Sequence, residues 1–298
     1  MSTGIMGRTQ ETSFATEDPA DWIIDVGALV SPPDVCIRIF EMMEDDQASA
    51  QDLGDVISRD PSLTARLLRI VNSPFYGFSR RIDTVTRAVA VIGSSELYNL
   101  VVAAAATTSF SRIPNFIVNI DTFWRHGICC GIIARELARH CRILHPERMF
   151  VTGLLHDIGS LIIYQREPDV IRELLLAAQG DETTLARRER QTFGFDHAEL
   201  GALLLDQWHL PPELVAAVRH HHEPARAEQT RLETAILHVA DAISNHSEQG
   251  AFYASPSARL LSDGTAWRVL GIEPTPEFLA EVLENTREQY RMAIDLFG

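Results

Sequence analysis

The sequence contains no lysine; all 26 of its basic residues are arginine. Chemistry that needs a lysine amine, such as Schiff-base formation, is thereby excluded. Cysteine is scarce too. Cys36, Cys129, Cys130 and Cys141 form no C-x-x-C pair, which argues against a zinc ribbon or a thioredoxin-type motif. Cys129 and Cys130 are chain neighbours in an apolar stretch and read as small buried thiols in a reducing compartment. No apolar run reaches the roughly 18 residues of a membrane span. The longest, around Leu100–Thr107, is short and rich in alanine. The opening stretch MSTGIMGRTQETSFATEDPA lacks the apolar centre of a signal peptide. A cytoplasmic location is therefore expected, with no membrane partner. Positive charge is in deficit, and the net charge is −15. Such a surface repels phosphate backbones, and Arg187, Arg188 and Arg190 are too few to offset it, so no direct nucleic-acid partner is expected. What is present is a 46% hydrophobic composition over 298 residues, enough for one large domain or two modest ones.

The pattern along the chain is helical almost throughout. Residues 1–20 read as a polar, disordered tail. Val35, Ile39, Met42 and Met43 then recur at helical spacing behind Pro32 and Pro33, which suit a first helical turn. Asp60 can cap a helix begun by Pro61, with Leu63, Leu67, Leu68 and Val71 as its buried stripe. NSPFYGFS, residues 72–79, is a turn cluster with aromatic residues. Ser94 or Ser95 is the expected cap of the next, alanine-rich helix. No convincing strand pattern occurs. SRIPNFIVNID reads as a connector and sets a boundary near residue 115. The expected organisation is a tail (1–20), an N-terminal helical subdomain (21–115), a second helical subdomain (116–249) and a C-terminal loop and helix (250–298) packed on the second. The C-terminal helix carries Phe278, Leu279, Val282 and Leu283, and homodimerisation is the alternative use of that face.

The second half holds nearly all the histidines. His126 lies in an amphipathic helix, and His156 and Asp157 follow in the otherwise apolar GLLHDIGSLI. His197 sits in FGFDHAELG, where Asp196 and Glu199 resemble a capping box. His220, His221 and His222 end a further helix, and Asp241 lies one turn after His238 in ILHVADAIS. Two adjacent polar side chains in an apolar run are costly without partners. Imidazole and carboxylate donors suit manganese, iron, zinc or nickel, and side chains on different helices can converge in a bundle. His156 and Asp157, about 100° apart on a helix, can reach one ion if their helix is seen edge-on, while His197, His221 and His222 can serve a second. A pair of ions would activate water and clamp a phosphate. His145, His209, His238 and His246 read instead as surface or satisfied core residues. His220–His222 would also fit as cations at a helix C-terminus.

The order His, His-Asp, His, His-His, Asp resembles the HD-domain superfamily. More specifically, the chain from about Val26 to Ser244 resembles the HDOD family, the HD-related output domains of bacterial signalling. The motifs that carry the resemblance are SPPDV, ISRDPSLTARLLRIVNSPFYG, RAVAVIGSSELYNLV, FWRHG, GLLHDIG and DHAELGALLLDQWHLPPELVAAVRHHHEP. The resemblance implies an all-α fold in which an N-terminal helical bundle packs on an HD-like helical bundle. It implies a non-catalytic regulatory module that contacts signalling proteins, as in response regulators of two-component systems. Carried over by position, His126, His156, Asp157 and Asp241 match the core metal ligands. His197, His221 and His222 match the additional ligands of the related cyclic-di-GMP phosphodiesterases. A divalent metal (manganese, iron, zinc or nickel) is the cofactor this implies. Those phosphodiesterases place a lysine three residues after the HD aspartate, where this chain has Ser160, and a glycine-tyrosine-proline motif after HHE, where this chain continues PARAEQT. Both departures speak against cyclic-di-GMP hydrolysis and leave another metal-dependent phosphohydrolase as the alternative. The expected partner surface is NSPFYGFSRR, unless Phe75 and Tyr76 pack between the two halves.

Overall fold

In the computed structural model of the protein, residues 18–25, 34–45, 48–73, 76–110, 118–247, 250 and 264–297 are described. No strand occurs among them. After α1 (Pro19–Asp25), the first half comprises α2 (Asp34–Met43), α3 (Ala50–Ile57), α4 (Pro61–Val71), α5 (Val85–Ile92) and α6 (Ser94–Ser109). Local chemistry sets their ends. The Asp60 carboxylate accepts from the main-chain N–H groups of Ser62 and Leu63, and Pro61 fills a position where no amide is needed. Leu63, Leu67, Ile70 and Val71 form the buried face of α4, with Leu68 only half-buried. The expected serine cap of α6 is not formed. Gly93 takes the capping position at φ 88° with no side-chain bond, because the chain turns there through a conformation that favours glycine. Residues 97–107 of α6 are buried on every side.

The second half comprises α7 (Ile120–His140), α8 (Glu147–Leu155), α9 (Ile158–Arg166), α10 (Pro168–Ala178), α11 (Glu182–Phe193), α12 (His197–Gln207), α13 (Pro212–His220), α14 (Arg231–His246), α15 (Gly264–Leu270) and α16 (Pro276–Phe297). α7 is its hub, with α8, α14 and α16 packed around it. α9 lies against α12, which in turn packs on α13. The stretch around residue 115 and Phe75 lie outside the described residues.

Among the described residues several contacts bind the halves. α6 packs on α8, and the Tyr98 hydroxyl donates to the Trp208 carbonyl at 2.6 Å. Phe40 stacks on His209 with centroids 3.9 Å apart. α16 runs along α7 and reaches α4, with Val282 fully buried and Arg135 Nη2 donating to Gln289 Oε1 at 2.6 Å. α1 belongs by contact to the second half, where Trp22 meets the edges of Phe193 and Phe195. The four cysteines are free, and Cys36, Cys129 and Cys130 are buried. Among the described residues no helix is long and apolar enough to cross a membrane.

Candidate metal centre

The sequence GLLHDIG does not form one continuous helix. α8 ends at Leu155 with His156 as its C-cap, and Asp157 is the residue before α9. The pair therefore sits at a break, and its two side chains are freed from the helical spacing expected of them. The flanking glycines position that break. Gly153 packs on α7, where a Cβ would come within 2.6 Å of the Gly131 backbone. A Cβ on Gly159 would collide with the His197 carbonyl and the Gly201 amide. These contacts bring the pair towards His126 on α7 and towards His197 on α12.

All seven residues singled out from the sequence converge. His126 Nε2 lies 3.1 Å from Asp241 Oδ1 and 3.4 Å from His156 Nε2. His156 Nε2 lies 3.2 Å from Asp157 Oδ2 and 3.6 Å from Asp241 Oδ1. On the other side, Asp157 Oδ1 faces His197 Nε2 at 3.5 Å and His221 Nε2 at 3.7 Å. His222 Nε2 lies 2.7 Å from His197 Nε2. Asp157 thus stands between two imidazole groups, one on each carboxylate oxygen. His221 caps α13 and His222 lies just beyond it, so the helix end aims both rings inward. His220 is not part of the cluster.

The outer nitrogens explain the orientation. His126 Nδ1 donates to the Gly250 carbonyl at 2.8 Å, His156 Nδ1 to Gly153 and His221 Nδ1 to Val218, both at 2.7 Å. His197 Nδ1 donates to Glu189 Oε2 at 2.6 Å. Each bond fixes the ring with Nε2 facing inward, the arrangement that orients metal-binding histidines. His238 Nδ1 donates to the His221 carbonyl and steadies the same helix end. The sequence had shown no role for Glu189, which lies in the charged run RRERQ, or for His238.

Electrostatics sort the rings. Burial opposes a charge on His156, yet Asp157 foremost raises its pKa well above the ordinary value. Burial likewise opposes a charge on His197, and Glu189 outweighs it, lifting the ring to about 10. Burial, then the neighbouring His156, pushes His221 down to about 4. Burial and then His221 lower His222 as well. Asp157 and Asp241 are held below the usual carboxylate range by the surrounding histidines, against the effect of burial. Glu182, at the start of α11, is raised by burial and then by Asp157 and Asp241.

The donor set fits divalent cations. His197, His221 and His222 form one group and His126, His156 and Asp157 another, with the ligand atoms of each within 4.8 Å of one another. The buried Nε2 of His221 has no hydrogen-bond partner. A buried acceptor without a donor is costly, and a cation would satisfy it.

The chain has relatives in sequence and neighbours in fold. It is 26% identical over 226 residues to an uncharacterised protein of Treponema pallidum (strain Nichols), a match that covers 74% of this chain and 42% of that protein. The chain thus spans under half the length of that curated relative. An HDOD domain protein of unknown function from Geobacter sulfurreducens superposes with a TM-score of 0.71 at 23% identity, covering 94% of this chain and 97% of the other. A candidate phosphohydrolase from Shewanella amazonensis SB2B superposes with a TM-score of 0.67 at 25% identity, covering 93% and 97%. The HDOD domain model matches residues 29–224, which include six of the seven converging side chains and stop short of Asp241. With most of its length matched and its helices arranged as in those structures, the chain belongs to the HDOD family.

Proposed function

We propose that the protein is a regulatory HDOD module that holds a pair of divalent metal ions and acts by contacting a signalling protein. The observation that carries the metal is Asp157, whose two oxygens face different imidazole groups. Oδ2 would serve one ion with His126, His156 and Asp241, and Oδ1 the other with His197, His221 and His222. Manganese, iron, zinc or nickel suits such donors. The contact surface is Phe78, 38% exposed, with the exposed Arg80 and Arg81; Tyr76 packs inward on the core, its hydroxyl 3.4 Å from Glu96 Oε1.

Elemental analysis of protein purified without chelator or metal-affinity tag tests the metal. About two ions per chain are expected, with a large loss in Asp157→Ala. Wild-type protein that stays metal-free after incubation with manganese, iron or zinc would sink the proposal.

The same pairing favours a second reading, a metal-dependent phosphohydrolase. When bound, two ions would polarise a phosphoryl oxygen and lower the pKa of a water. The candidate phosphohydrolase of similar fold supports it, and Ser160 in place of a lysine sets this chain apart from cyclic-di-GMP phosphodiesterases. Turnover of p-nitrophenyl phosphate or its diester by metal-loaded protein, abolished by Asp157→Ala, would establish it.

A further inference from the structure

Arg190 follows Glu189 in the last turn of α11 and reaches two other helix ends at once. Its Nη2 lies 2.6 Å from Asp196 Oδ2, and its Nη1 lies 3.2 Å from Glu223 Oε1. Asp196 precedes His197 in the chain, and Glu223 follows His222. The rings of those two histidines meet in the same corner, with their Nε2 atoms 2.7 Å apart. One guanidinium therefore ties the chain on both sides of that meeting point.

The two arms differ in character. Asp196 is 1% exposed, and its Oδ1 caps α12 by accepting from the Glu199 N–H at 2.8 Å, which leaves Oδ2 to Arg190. A buried carboxylate depends on its cation, so this arm fixes Arg190 to the start of α12. The Glu223 side chain is 34% exposed and also meets Arg226, 3.0 Å from its other oxygen. A planar fork can hold two carboxylates in set directions, which a point charge cannot. His222 needs such support. His126, His156, His197 and His221 are each oriented by a bond at Nδ1. Among the described residues His222 has no such bond, and it lies beyond the end of α13. The placing of its turn must do that work.

We propose that Arg190 is a positioning residue that holds the turn carrying His222 against the start of α12, and so sets the spacing of the His197, His221 and His222 group. That this group takes an ion rests on the reading of the centre as a metal site. The clamp itself belongs to the metal-free chain.

Two measurements on the full chain separate these claims. The first is zinc affinity by competition with a chelator. Arg190→Gln should weaken one of the two ions about tenfold or more and leave the other nearly unchanged. A general loss of structure would instead lower both, together with the melting temperature. Glu223→Gln should act in the same direction, more weakly. Arg226→Gln removes the other partner of Glu223 and should change nothing. The second is the crystal structure of chelator-treated Arg190→Gln beside that of the wild type, in which the His197 and His222 rings should draw apart. If wild-type protein takes up no zinc, the metal reading fails and the structures alone decide the clamp. If Arg190→Gln does not fold, Glu223→Gln, at a partly exposed position, carries both measurements. Wild-type affinity with the rings in place in the variant, or an equal effect of Arg226→Gln, would overturn the proposal.

Discussion

Glu189 Oε2 accepts from both the main-chain N–H and the Nδ1 of His197, at 2.9 and 2.6 Å. Glu189→Gln keeps an acceptor but removes the charge that makes the ring a stronger donor to a cation. Metal affinity should fall about 10- to 100-fold, read by competition with a chelator, while the fold persists. A second residue acts through pH. Burial first, and then Glu147, raises Glu96 from 4.5 to about 7. The folded state then holds a proton that the unfolded state has lost, so stability falls as pH rises from about 4.5 through 7. The stabilising contribution is complete below the lower value. Melting temperatures across that window should fall more steeply for the wild type than for Glu96→Gln. At this scale the sequence was most legible where chemistry is unusual in type. A histidine-aspartate pair in an apolar run stands out, and so do three successive histidines. Glu189 did not stand out, because a glutamate among arginines looks like a solvated helix face until tertiary packing brings it against His197.

At the scale of elements, helix starts followed from side-chain chemistry where a cap exists. Asp60 and Pro61 marked α4, and Asp196 caps α12 by accepting from Glu199 N–H at 2.8 Å. The start of α6 was misread because the chain enters it through Gly93 at φ 88°, which sits at the capping position and makes no side-chain bond. The break between α8 and α9 was missed for a different reason: LLHDIG has no proline, and only packing on two sides reveals it. That packing makes Gly159 the most constrained point of the motif. In Gly159→Ala the new methyl meets main-chain atoms of α12, which cannot rotate away. The expected cost is about 3 kcal/mol by denaturant unfolding, the upper end for overpacking. Metal affinity should fall with it, since separating α9 from α12 moves Asp157 away from His197.

For the whole molecule, the helical character followed from residue spacing, and the packing of an N-terminal bundle on an HD-like one from the family resemblance. The long-range closures did not. α1 folds onto the second half, where Trp22, 2% exposed, packs against Phe193 and Phe195 with the Arg166 guanidinium 4.6 Å from its ring centre. No local pattern encodes a contact across so much chain. Trp22→Ala should cost about 3–5 kcal/mol, measured by chemical denaturation. Between the halves stands α6, whose buried run includes Ala103, Ala104, Ala105 and Ala106. Methyl groups make low ridges, and low ridges mesh weakly with a neighbouring helix. The Tyr98 hydroxyl bonds α6 to Trp208 of the second half, whereas Arg66 of α4 bonds the Ala104 carbonyl and the Thr107 hydroxyl and holds α6 to its own half. The helix is thus riveted to its own half and latched to the other by one hydroxyl, so Tyr98→Phe would loosen the joint between the halves and leave each half folded.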